Sequence, residues 1–480
     1  MAYMDDTPDT SQELYAWTDL ARAEPPKRPA AERITDFEEI YSLYDETTIR
    51  EQARRCVQCD SANCMIGCPL HNRIPEWLGL AADGKFLEAA EVSRATSNLP
   101  EICSRLCPQE RLCEGACILN GRAEPVCIGA IEKFINEYAF AYGNVQELGA
   151  PWNGSRVAVI GSGPGGLSCA AELAQAGCRV AVFESLLLPG GLLANGIPAF
   201  KLEKSVIERR VTILRKLGVE FRLGVTVGKD ISLRELLAEF QAVFLGMGAL
   251  KPKALDVPGA ELKGIHQALP FLIQKNTPGT FELPPILVEG KRVVVLGGGD
   301  TAMDCLRTAI RCGSRETTCA YRRDLANMPG SRKEYANALE EGAQFSFLTN
   351  PLALDGDAAG NVAAVRCVRM ELGEPDASGR RKPRAVPGSE FSIPAELLLI
   401  AYGFDAVPFP PESDLCQIEV NDWGTVKADA SQMTSVAGVF AGGDLVRGPN
   451  LVVNAAWDGR VAAAAILRYL TETGKTADHP

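Results

Sequence analysis

One pattern, a short apolar strand followed by a glycine-rich turn, a helix and a second strand, occurs twice in this chain. In the first copy the strand Val157–Ile160 leads into the turn 161–166 (GSGPGG), and the second strand ends at Glu184. Glycines at this spacing permit a tight turn, close approach of the backbone to a pyrophosphate, and close packing of the helix on the strand. A carboxylate at the end of the second strand binds ribose hydroxyls and repels a 2′-phosphate. The first copy therefore predicts a site for FAD or NAD, rather than a glycine turn without a ligand, formed by Gly161, Gly163, Pro164, Gly165, Gly166 and Glu184.

The second copy lacks the acidic residue. Its first strand is Arg292–Leu296 and its turn, 297–302, reads GGGDTA; the position of the expected acid falls on Ala320, and Arg322 and Arg323 follow. Guanidinium groups pair with phosphate through two parallel hydrogen bonds, so this ending favours NADP over NAD. The alternative is that the two arginines are ordinary surface charges at the end of a strand. The residues predicted to hold NADPH are Gly297, Gly299, Asp300, Thr301, Ala302, Arg322 and Arg323.

Two dinucleotide units of opposite ribose preference are typical of flavoproteins that bind FAD in the first and NADPH in the second, with the second domain inserted into the first. The chain should then return to the flavin near its end. Gly438–Asp444 is indeed a strand that ends in a glycine turn and a carboxylate, and a helix, whose N-terminus can stabilise a reduced flavin, opens at Asn450. The glycine-rich segment 189–198 is expected beside the flavin ring, the alternative being a plain connecting loop. These segments add eight residues to the predicted FAD site, namely Gly191, Leu192, Ile197, Gly443, Asp444, Asn450, Leu451 and Val452.

Half of the 16 cysteines lie in two runs, Cys56-x2-Cys59-x4-Cys64-x3-Cys68 and Cys103-x3-Cys107-x5-Cys113-x3-Cys117. The start of the chain has no basic segment followed by an apolar core, so we expect no signal peptide, a reducing cytoplasmic compartment and no disulfides. Proline follows Cys68 and Cys107, as in the loops of bacterial ferredoxins. Structural zinc sites prefer two CxxC pairs, and these runs contain one. The pattern favours two [4Fe–4S] clusters, with zinc or reduced structural thiols as the alternatives.

Composition excludes several other classes. A length of 480 residues suggests about three domains, and no apolar stretch is long enough to cross a membrane. The net charge of −12 argues against nucleic acid as a partner. Only three histidines are present, His71, His266 and His479, and none has a neighbouring nucleophile or metal-ligand pattern. We therefore assign no catalytic side chain and expect the chemistry to come from cofactors. Seven of the eight cysteines outside the two runs are expected to be small buried residues, namely Cys169, Cys178, Cys305, Cys312, Cys319, Cys367 and Cys416.

Longer stretches resemble one family. They are 36–41 (DFEEIY), 107–117 (CPQERLCEGAC), 196–205 (GIPAFKLEKS), 294–305 (VVLGGGDTAMDC), 321–324 (YRRD) and 328–331 (MPGS). Over residues 27–467 the chain resembles the small (β) subunits of bacterial NADPH-dependent glutamate synthase. It is also similar to the N-terminal part of dihydropyrimidine dehydrogenase and to a subunit of the electron-bifurcating ferredoxin:NADP oxidoreductases.

The resemblance implies two interleaved clusters. One would be held by Cys56, Cys59, Cys64 and Cys117. The other would be held by Cys68, Cys107, Cys113 and a non-cysteine ligand, for which Glu132 is the candidate and Cys103 the alternative. The chain departs from the family at Asn195, where relatives tend to carry tyrosine, and at Asn454, where they tend to carry tryptophan. These departures affect the packing around the flavin rather than the identity of the cofactor.

The resemblance also implies a function. NADPH would reduce FAD, and electrons would leave through the clusters to a large (α) subunit carrying FMN and a further iron–sulfur cluster, which forms L-glutamate from L-glutamine and 2-oxoglutarate. The alternative is the same module feeding another acceptor, as in dihydropyrimidine dehydrogenase or a bifurcating oxidoreductase. A more distant alternative is an assembly scaffold with vestigial nucleotide sites, which the intact glycines disfavour.

The expected fold is α/β with an N-terminal all-α iron–sulfur domain and two Rossmann-like domains, the NADPH domain inserted into the FAD domain. The expected ranges are 1–150 for the two clusters, 151–285 with 401–480 for FAD, and 286–400 for NADPH.

Overall fold

Short helices joined by long loops form the chain up to residue 143. The computed structural model describes residues 16–143, 145, 149–277, 284–375 and 381–474. Its first eight helices are α1 (Ala16–Asp19), α2 (Ala30–Arg33), α3 (Glu46–Arg54), α4 (Asn63–Gly67), α5 (Ile74–Ala82), α6 (Phe86–Thr96), α7 (Pro100–Leu106) and α8 (Ile128–Tyr142). Their core is apolar and centred on the fully buried Trp77, with Ile49, Phe86 and Ile131 among its members. The predicted all-α domain is therefore present.

A five-stranded parallel sheet follows. Its strands are β1 (Arg156–Ile160), β2 (Arg179–Glu184), β3 (Glu220–Leu223), β4 (Ala242–Leu245) and β15 (Val439–Ala441), in the order β15-β4-β1-β2-β3. Strands β1 and β4 are apolar on both faces and buried, as parallel strands between helical layers must be. Its helices are α9 (Pro164–Gln175), α10 (Leu192–Asn195), α11 (Lys204–Lys216), α12 (Leu233–Glu239), α16 (Asp444–Arg447) and α17 (Val452–Glu472).

A second parallel sheet lies between the two parts of the first. It has the order β6-β13-β7-β8-β9 and consists of β6 (Ile265–Gln267), β7 (Arg292–Leu296), β8 (Glu316–Tyr321), β9 (Gln344–Phe347) and β13 (Leu397–Ile400). The insertion of one Rossmann-like domain into the other is thus confirmed. Strand β6 pairs with β13 of this sheet, and helix α13 (Ala268–Asn276) packs in the core of the same domain. Both precede residue 286, where the sequence analysis placed the domain boundary. The remaining helices here are α14 (Asp300–Arg311) and α15 (Arg332–Glu340).

A three-stranded antiparallel sheet projects from the second domain. It contains β10 (Thr349–Gly356), β11 (Val362–Pro375) and β12 (Arg381–Pro394), in that order. The short strands β5 (Lys251–Pro252) and β14 (Phe404–Asp405) pair separately and join the two domains.

Close contacts hold the first Rossmann-like domain together and join it to the helical domain. A Cβ atom at Gly459 of α17 would lie 2.2 Å from the carbonyl oxygen of Gly165 in α9, so only glycine lets these helices pack this closely. Glu101 of α7 and Arg210 of α11 form a buried ion pair of 2.8 Å between the helical domain and the first Rossmann-like domain.

Two further findings concern the thiols and the helix lengths. The expectation of burial holds for five of the seven scattered cysteines, but Cys312 is half-buried and Cys416 is exposed, with its thiol donating to the carbonyl oxygen of Pro410 at 2.9 Å. Cys416 follows a proline-rich loop on the surface, which explains the error.

Within the described ranges, no helix is both long and apolar enough to cross a membrane.

Candidate cofactor sites

The first glycine turn has the geometry that its sequence predicts. Gly161 has φ +92° and its N–H donates to the carbonyl oxygen of Phe183 at 2.8 Å. A Cβ at Gly166 would lie 1.9 Å from the carbonyl oxygen of Gly161, so the helix can approach the strand only with glycine here. A Cβ at Gly163 would meet no atom within 4 Å, which leaves space in front of the first turn of α9, where Pro164 occupies the first helical position. The unpaired N–H groups of that turn form an anion site of the kind that binds a pyrophosphate.

Glu184 lies beside this turn with its carboxylate fully engaged. One carboxylate oxygen accepts hydrogen bonds from the N–H and the hydroxyl of Ser162, at 2.9 and 2.5 Å, and the other accepts from the Ser185 hydroxyl and the Leu186 N–H, at 3.2 and 2.9 Å. Four bonds fill the acceptor capacity of a carboxylate. A ribose hydroxyl must therefore replace one of these donors, and the two serine hydroxyls can rotate away.

The segment 189–198 contains a short helix rather than the plain loop of the alternative interpretation. A Cβ at Gly191 would lie 2.8 Å from the Cα of Gly163, so this segment passes directly over the glycine turn. Leu192 begins α10, and its carbonyl oxygen accepts the Ile197 N–H at 2.8 Å. Asn195 has no exposed surface, and its side-chain oxygen has no hydrogen-bond partner in the described part of the chain. An unpaired buried oxygen beside the glycine turn fits a segment that contacts a ligand.

The C-terminal segment returns to the same place. Asp444 begins α16, and burial raises the pKa of its carboxyl to about 6 although the Asn450 N–H donates to it at 3.1 Å. Gly443 donates its N–H to Asp458 of α17 at 3.0 Å. Helix α17 begins at Val452, with Leu451 as its N-cap, so the predicted residues of this segment frame one helix N-terminus.

The second glycine turn repeats the backbone geometry of the first. Gly297 has φ +138°, and a Cβ there would lie 2.3 Å from the carbonyl oxygen of Ala401. Gly299 again faces open space, and it precedes Asp300 and Thr301 in the first turn of α14. The carboxylate of Asp300 accepts the Ser331 N–H at 3.0 Å, while Ala302 is fully buried.

Arg322 and Arg323 follow β8 at the edge where this turn lies. Arg322 is exposed and Arg323 half-buried. Neither guanidinium forms a hydrogen bond or ion pair with any other residue that the structure describes, and the Arg323 Nε is buried without a partner. Two unpaired guanidinium groups beside a phosphate-binding turn fit the predicted binding of a 2′-phosphate.

The eight clustered cysteines separate into two groups. In the first, burial raises the pKa of Cys64 to about 12, with further contributions from its neighbours Cys56, Cys117 and Cys59. Burial likewise raises the pKa of Cys56 to about 11, with contributions from Cys59 and Cys117. These four thiols are the set that the family resemblance implies for one cluster.

The second group lines an internal cavity. Its thiols are Cys68, Cys103, Cys107 and Cys113, and Glu132 faces the same cavity. Burial raises the pKa of Cys68 to about 11, and a hydrogen bond with Cys103 together with burial raises that of Cys107. The cavity thus presents five possible ligands for the four positions of one cluster, and both Glu132 and Cys103 remain candidates.

Glu132 is held in place by polar side chains that the sequence did not single out. The indole N–H of the buried Trp77 donates to the Asn72 side-chain oxygen at 3.0 Å, and the Asn72 amide donates to Glu132 at 3.1 Å. Ser93 donates to the same carboxylate oxygen at 3.2 Å. Burial raises the pKa of Glu132 to about 8, with the Ser93 bond opposing it. A bound cation would favour the ionised carboxylate.

The cysteines surround space instead of converging on one point. In the described part of the chain, no set of three or more His, Cys, Asp or Glu side chains is placed to hold a metal ion. A cluster of four irons and four sulfides separates its ligands more widely than a single ion does. The donor chemistry, four thiols in each group, fits an iron–sulfur cluster.

The sequence analysis also did not predict a network of ion pairs centred on Glu341, which we call the brace. Arg33 has 1 % exposure and donates to Glu341 at 2.8 Å, and Glu341 also accepts from Arg307 and Arg311 of α14, at 2.9 and 2.6 Å. Burial alone would raise the pKa of Glu341, but the bonds from Arg307 and Arg311 hold it at about 2. Lys201 joins the segment after α10 to the same helix through Asp304 at 2.9 Å. No local pattern marks these residues, because their partners lie far away in sequence.

Comparisons with known proteins agree with this architecture. Residues 33–144 match the family model described as dihydropyrimidine dehydrogenase domain II, 4Fe-4S cluster, and residues 155–459 match pyridine nucleotide-disulphide oxidoreductase. The structure of Mycobacterium tuberculosis FprA in complex with NADPH covers 69 % of this chain and 88 % of its own, with a TM-score of 0.56 and 22 % identity. At that identity the likeness shows the fold alone.

Sequence relatives are much closer. The glutamate synthase [NADPH] small chain of Halomonas elongata is 48 % identical over 95 % of this chain and 98 % of its own length. That of Escherichia coli K12 is 46 % identical over 96 % and 99 %. The putative oxidoreductase AegA of the same bacterium is 46 % identical over 94 % of this chain but only 70 % of its own, so the module also occurs within longer proteins. The chain belongs to the glutamate synthase [NADPH] small-chain family of oxidoreductases.

Proposed function

We propose that this chain is the electron-input subunit of a cytoplasmic glutamate synthase. It oxidises NADPH at FAD and passes electrons through two [4Fe–4S] clusters to a large (α) subunit. That subunit, with its own FMN and iron–sulfur cluster, forms L-glutamate from L-glutamine and 2-oxoglutarate.

The observation that carries this proposal is the continuity between two sites. Val453, in the first turn of α17, lines the cavity of the second cysteine group. Its neighbours Leu451 and Val452 are predicted FAD contacts, and the same helix N-terminus follows Asp444. A flavin and a cluster at these two sites would share one turn of helix, an arrangement suited to electron transfer between them.

Each cofactor is assigned residues that suit its chemistry. The N-terminus of α9 and Glu184 would hold the pyrophosphate and ribose of FAD. Asp444 and the N-terminus of α17 would lie near its flavin. The turn before α14, with Arg322 and Arg323, would hold NADPH. The two cysteine groups would hold the clusters.

When bound, these groups supply hydride transfer from nicotinamide to flavin and one-electron transfer through the clusters. The protein contributes binding and orientation, since no acid or base is needed for a hydride passed between two cofactors held in contact. The buried Trp77, Cys103 and Ile128 line the second cysteine group and would limit the access of water to that cluster.

A second candidate function is the same module serving a different acceptor. It is favoured by the 33–144 match to a dihydropyrimidine dehydrogenase domain and by relatives such as AegA that are longer than this chain. Coverage of nearly the whole length of the glutamate synthase small chains favours the first.

Anaerobic purification of the chain with whatever co-purifies tests the proposal. We expect eight irons and one FAD per chain as two [4Fe–4S] clusters require, a flavin that NADPH bleaches far faster than NADH, and glutamate formation by the complex. Bleaching without glutamate formation by the intact complex would support the second candidate instead. Zinc in place of iron would overturn the electron-transfer function.

The fourth ligand of the second cluster can be assigned with matched variants. Glu132→Gln should lose or destabilise one cluster, whereas Cys103→Ser should keep about eight irons, because we assign Glu132 and not Cys103 as the ligand. Cys107→Ser is the positive control, because both assignments include it. The reverse pattern for Glu132 and Cys103 would exchange their roles.

A further inference from the structure

One hydroxyl in the cavity of the second cysteine group has no hydrogen-bond partner among the residues that the structure describes. Ser97 lies between α6 and α7, has no exposed surface, and lines the cavity together with Cys68, Cys107 and Cys113. Its Oγ is buried and unpaired. Among the described residues that line this cavity, Ser97 is the only serine, threonine or tyrosine.

The other polar side chains of the cavity already have partners. Asn72 bonds to Trp77 and Glu132, and the Gln109 amide donates to the carbonyl oxygen of Ser104 at 2.8 Å. A buried hydroxyl without an acceptor is costly, and in native proteins it usually marks a group or function that remains to be identified. The chemistry of this cavity, three or four thiols and a carboxylate, indicates that the missing acceptor is a sulfur atom of the bound cluster.

We propose that the Ser97 hydroxyl donates a hydrogen bond to the iron–sulfur cluster of the second cysteine group and raises its reduction potential. The inference rests on the proposed function, since only a bound cluster supplies the acceptor. Sulfide and thiolate sulfur atoms carry negative charge, and reduction adds to it. A donor stabilises the reduced form more than the oxidised form, so the potential rises.

The position of Ser97 gives this bond a role. Residues 97–99 lead directly into α7, which carries Cys103 and is followed by Cys107 as its C-cap. The cavity is closed on another side by Val453 of the predicted flavin-binding helix. The cluster that Ser97 contacts is therefore the one nearest the flavin, and its potential sets how readily the first electron leaves the flavin.

The experiment is a redox titration of the anaerobically purified holoprotein, followed by electron paramagnetic resonance of the two clusters. In Ser97→Ala we expect one cluster to shift to a lower potential by about 59 mV, a tenfold change in a one-electron equilibrium, with the other cluster and the iron content unchanged. Ser97→Thr retains a hydroxyl and should keep the wild-type potential.

Ser155→Ala is the matched control. Ser155 is equally buried and its Oγ is also unpaired, but it precedes β1 and does not line the cavity. No cluster potential should change in that variant.

Equal potentials in wild type and Ser97→Ala, with full iron in both, would overturn the inference and leave the proposed function standing. Loss of iron in Ser97→Ala but not in Ser97→Thr would support a bond between the hydroxyl and the cluster. Loss of iron in both variants would show that Ser97 acts only through packing, which would overturn the inference. A wild-type protein without iron would overturn the proposed function itself.

Discussion

The two βαβ units share a backbone plan but differ in how each is held and how each ends. In the first, α9 packs against α17 through backbone contacts at Gly165 and Gly459, and the strand ends in the buried, fully bonded Glu184. In the second, α14 carries buried arginines paired with Glu341, and the strand is followed by Arg322 and Arg323, whose guanidinium groups have no hydrogen-bond or ion-pair partner among the described residues. The first unit thus ends in a carboxylate that the protein itself already binds, whereas the second ends in two positive groups that no other described residue binds.

The largest expected effect comes from the brace of the second unit. Glu341→Gln leaves Arg33, Arg307 and Arg311 without their shared carboxylate, and breaking a buried ion pair costs about 3–5 kcal/mol. Urea unfolding should show a large loss of stability for the second domain. The control is Asp355→Asn, since the pair of Asp355 with Arg366 is exposed on both sides, 44 and 56 % of the side chains, and surface pairs contribute under about 1 kcal/mol. Equal effects of the two variants would contradict the comparison.

The same brace predicts a pH dependence. The pKa of Glu341 in the folded protein is about 2, below the value of about 4.3 for an unperturbed glutamate. A lowered acid pKa gives stability that is present above about pH 4.3 and lost as the pH falls towards 2. Acid unfolding of the wild type should therefore lose this contribution between these values. In Glu341→Gln the loss in that window should be smaller; an unchanged acid transition would contradict the assignment.

The next largest effect is a loss of preference for NADPH over NADH when Arg322 and Arg323 are replaced. Under the proposed function, Arg322→Ala with Arg323→Ala would remove two charge-assisted bonds to a 2′-phosphate, each contributing about 1.5–3 kcal/mol. Since roughly 1.4 kcal/mol corresponds to a tenfold change, the KM for NADPH should rise by 10-fold or more per arginine. The KM for NADH should stay the same. Steady-state diaphorase kinetics with both nucleotides measures this. Parallel increases for both nucleotides would show that the arginines do not recognise the phosphate.

The sixth residue of each turn, glycine in the first unit and alanine in the second, gives a smaller pair of effects. Gly166→Ala places a Cβ 1.9 Å from the Gly161 carbonyl oxygen, and overpacking of this kind costs about 1–3 kcal/mol. FAD content after purification should fall. At the corresponding position the second unit already has Ala302, and Ala302→Gly should cost only about 1 kcal/mol without loss of FAD. A flavin content that is full in Gly166→Ala would contradict the close packing.

The smallest effect concerns Ser185. Ser185→Ala removes the longest of the four bonds to Glu184, which frees one acceptor position for a ribose hydroxyl. We expect FAD to bind as tightly or slightly more tightly, by less than about 1 kcal/mol. Isothermal titration of the flavin-free protein measures it, with Ser205→Ala, an exposed serine on α11, as the control. Much weaker binding would mean that Ser185 itself contacts the cofactor.

Features governed by local backbone geometry were predictable from the sequence. The turns at Gly161 and Gly297, the ending of each second strand and the return at Asp444 all follow from residue type and spacing. The division of the cysteines came from the family resemblance, because spacing alone leaves the pairing of runs open. The contacts of Arg33, Asn72 and Ser97 were not predictable, since each depends on partners that only the tertiary fold brings near.

The divided first sheet has a consequence for how the chain is made. Strand β4 pairs on one side with β1 and on the other with β15, whose residues 439–441 follow almost 200 residues later. At about 5–20 residues per second, a ribosome needs roughly 10–40 s to deliver that strand. During this time the apolar β4 presents an unpaired edge, which is a template for aggregation. The inserted domain is complete before β15 emerges and can fold first, so during synthesis the exposed strand edge belongs to the first Rossmann-like domain and not to the inserted one.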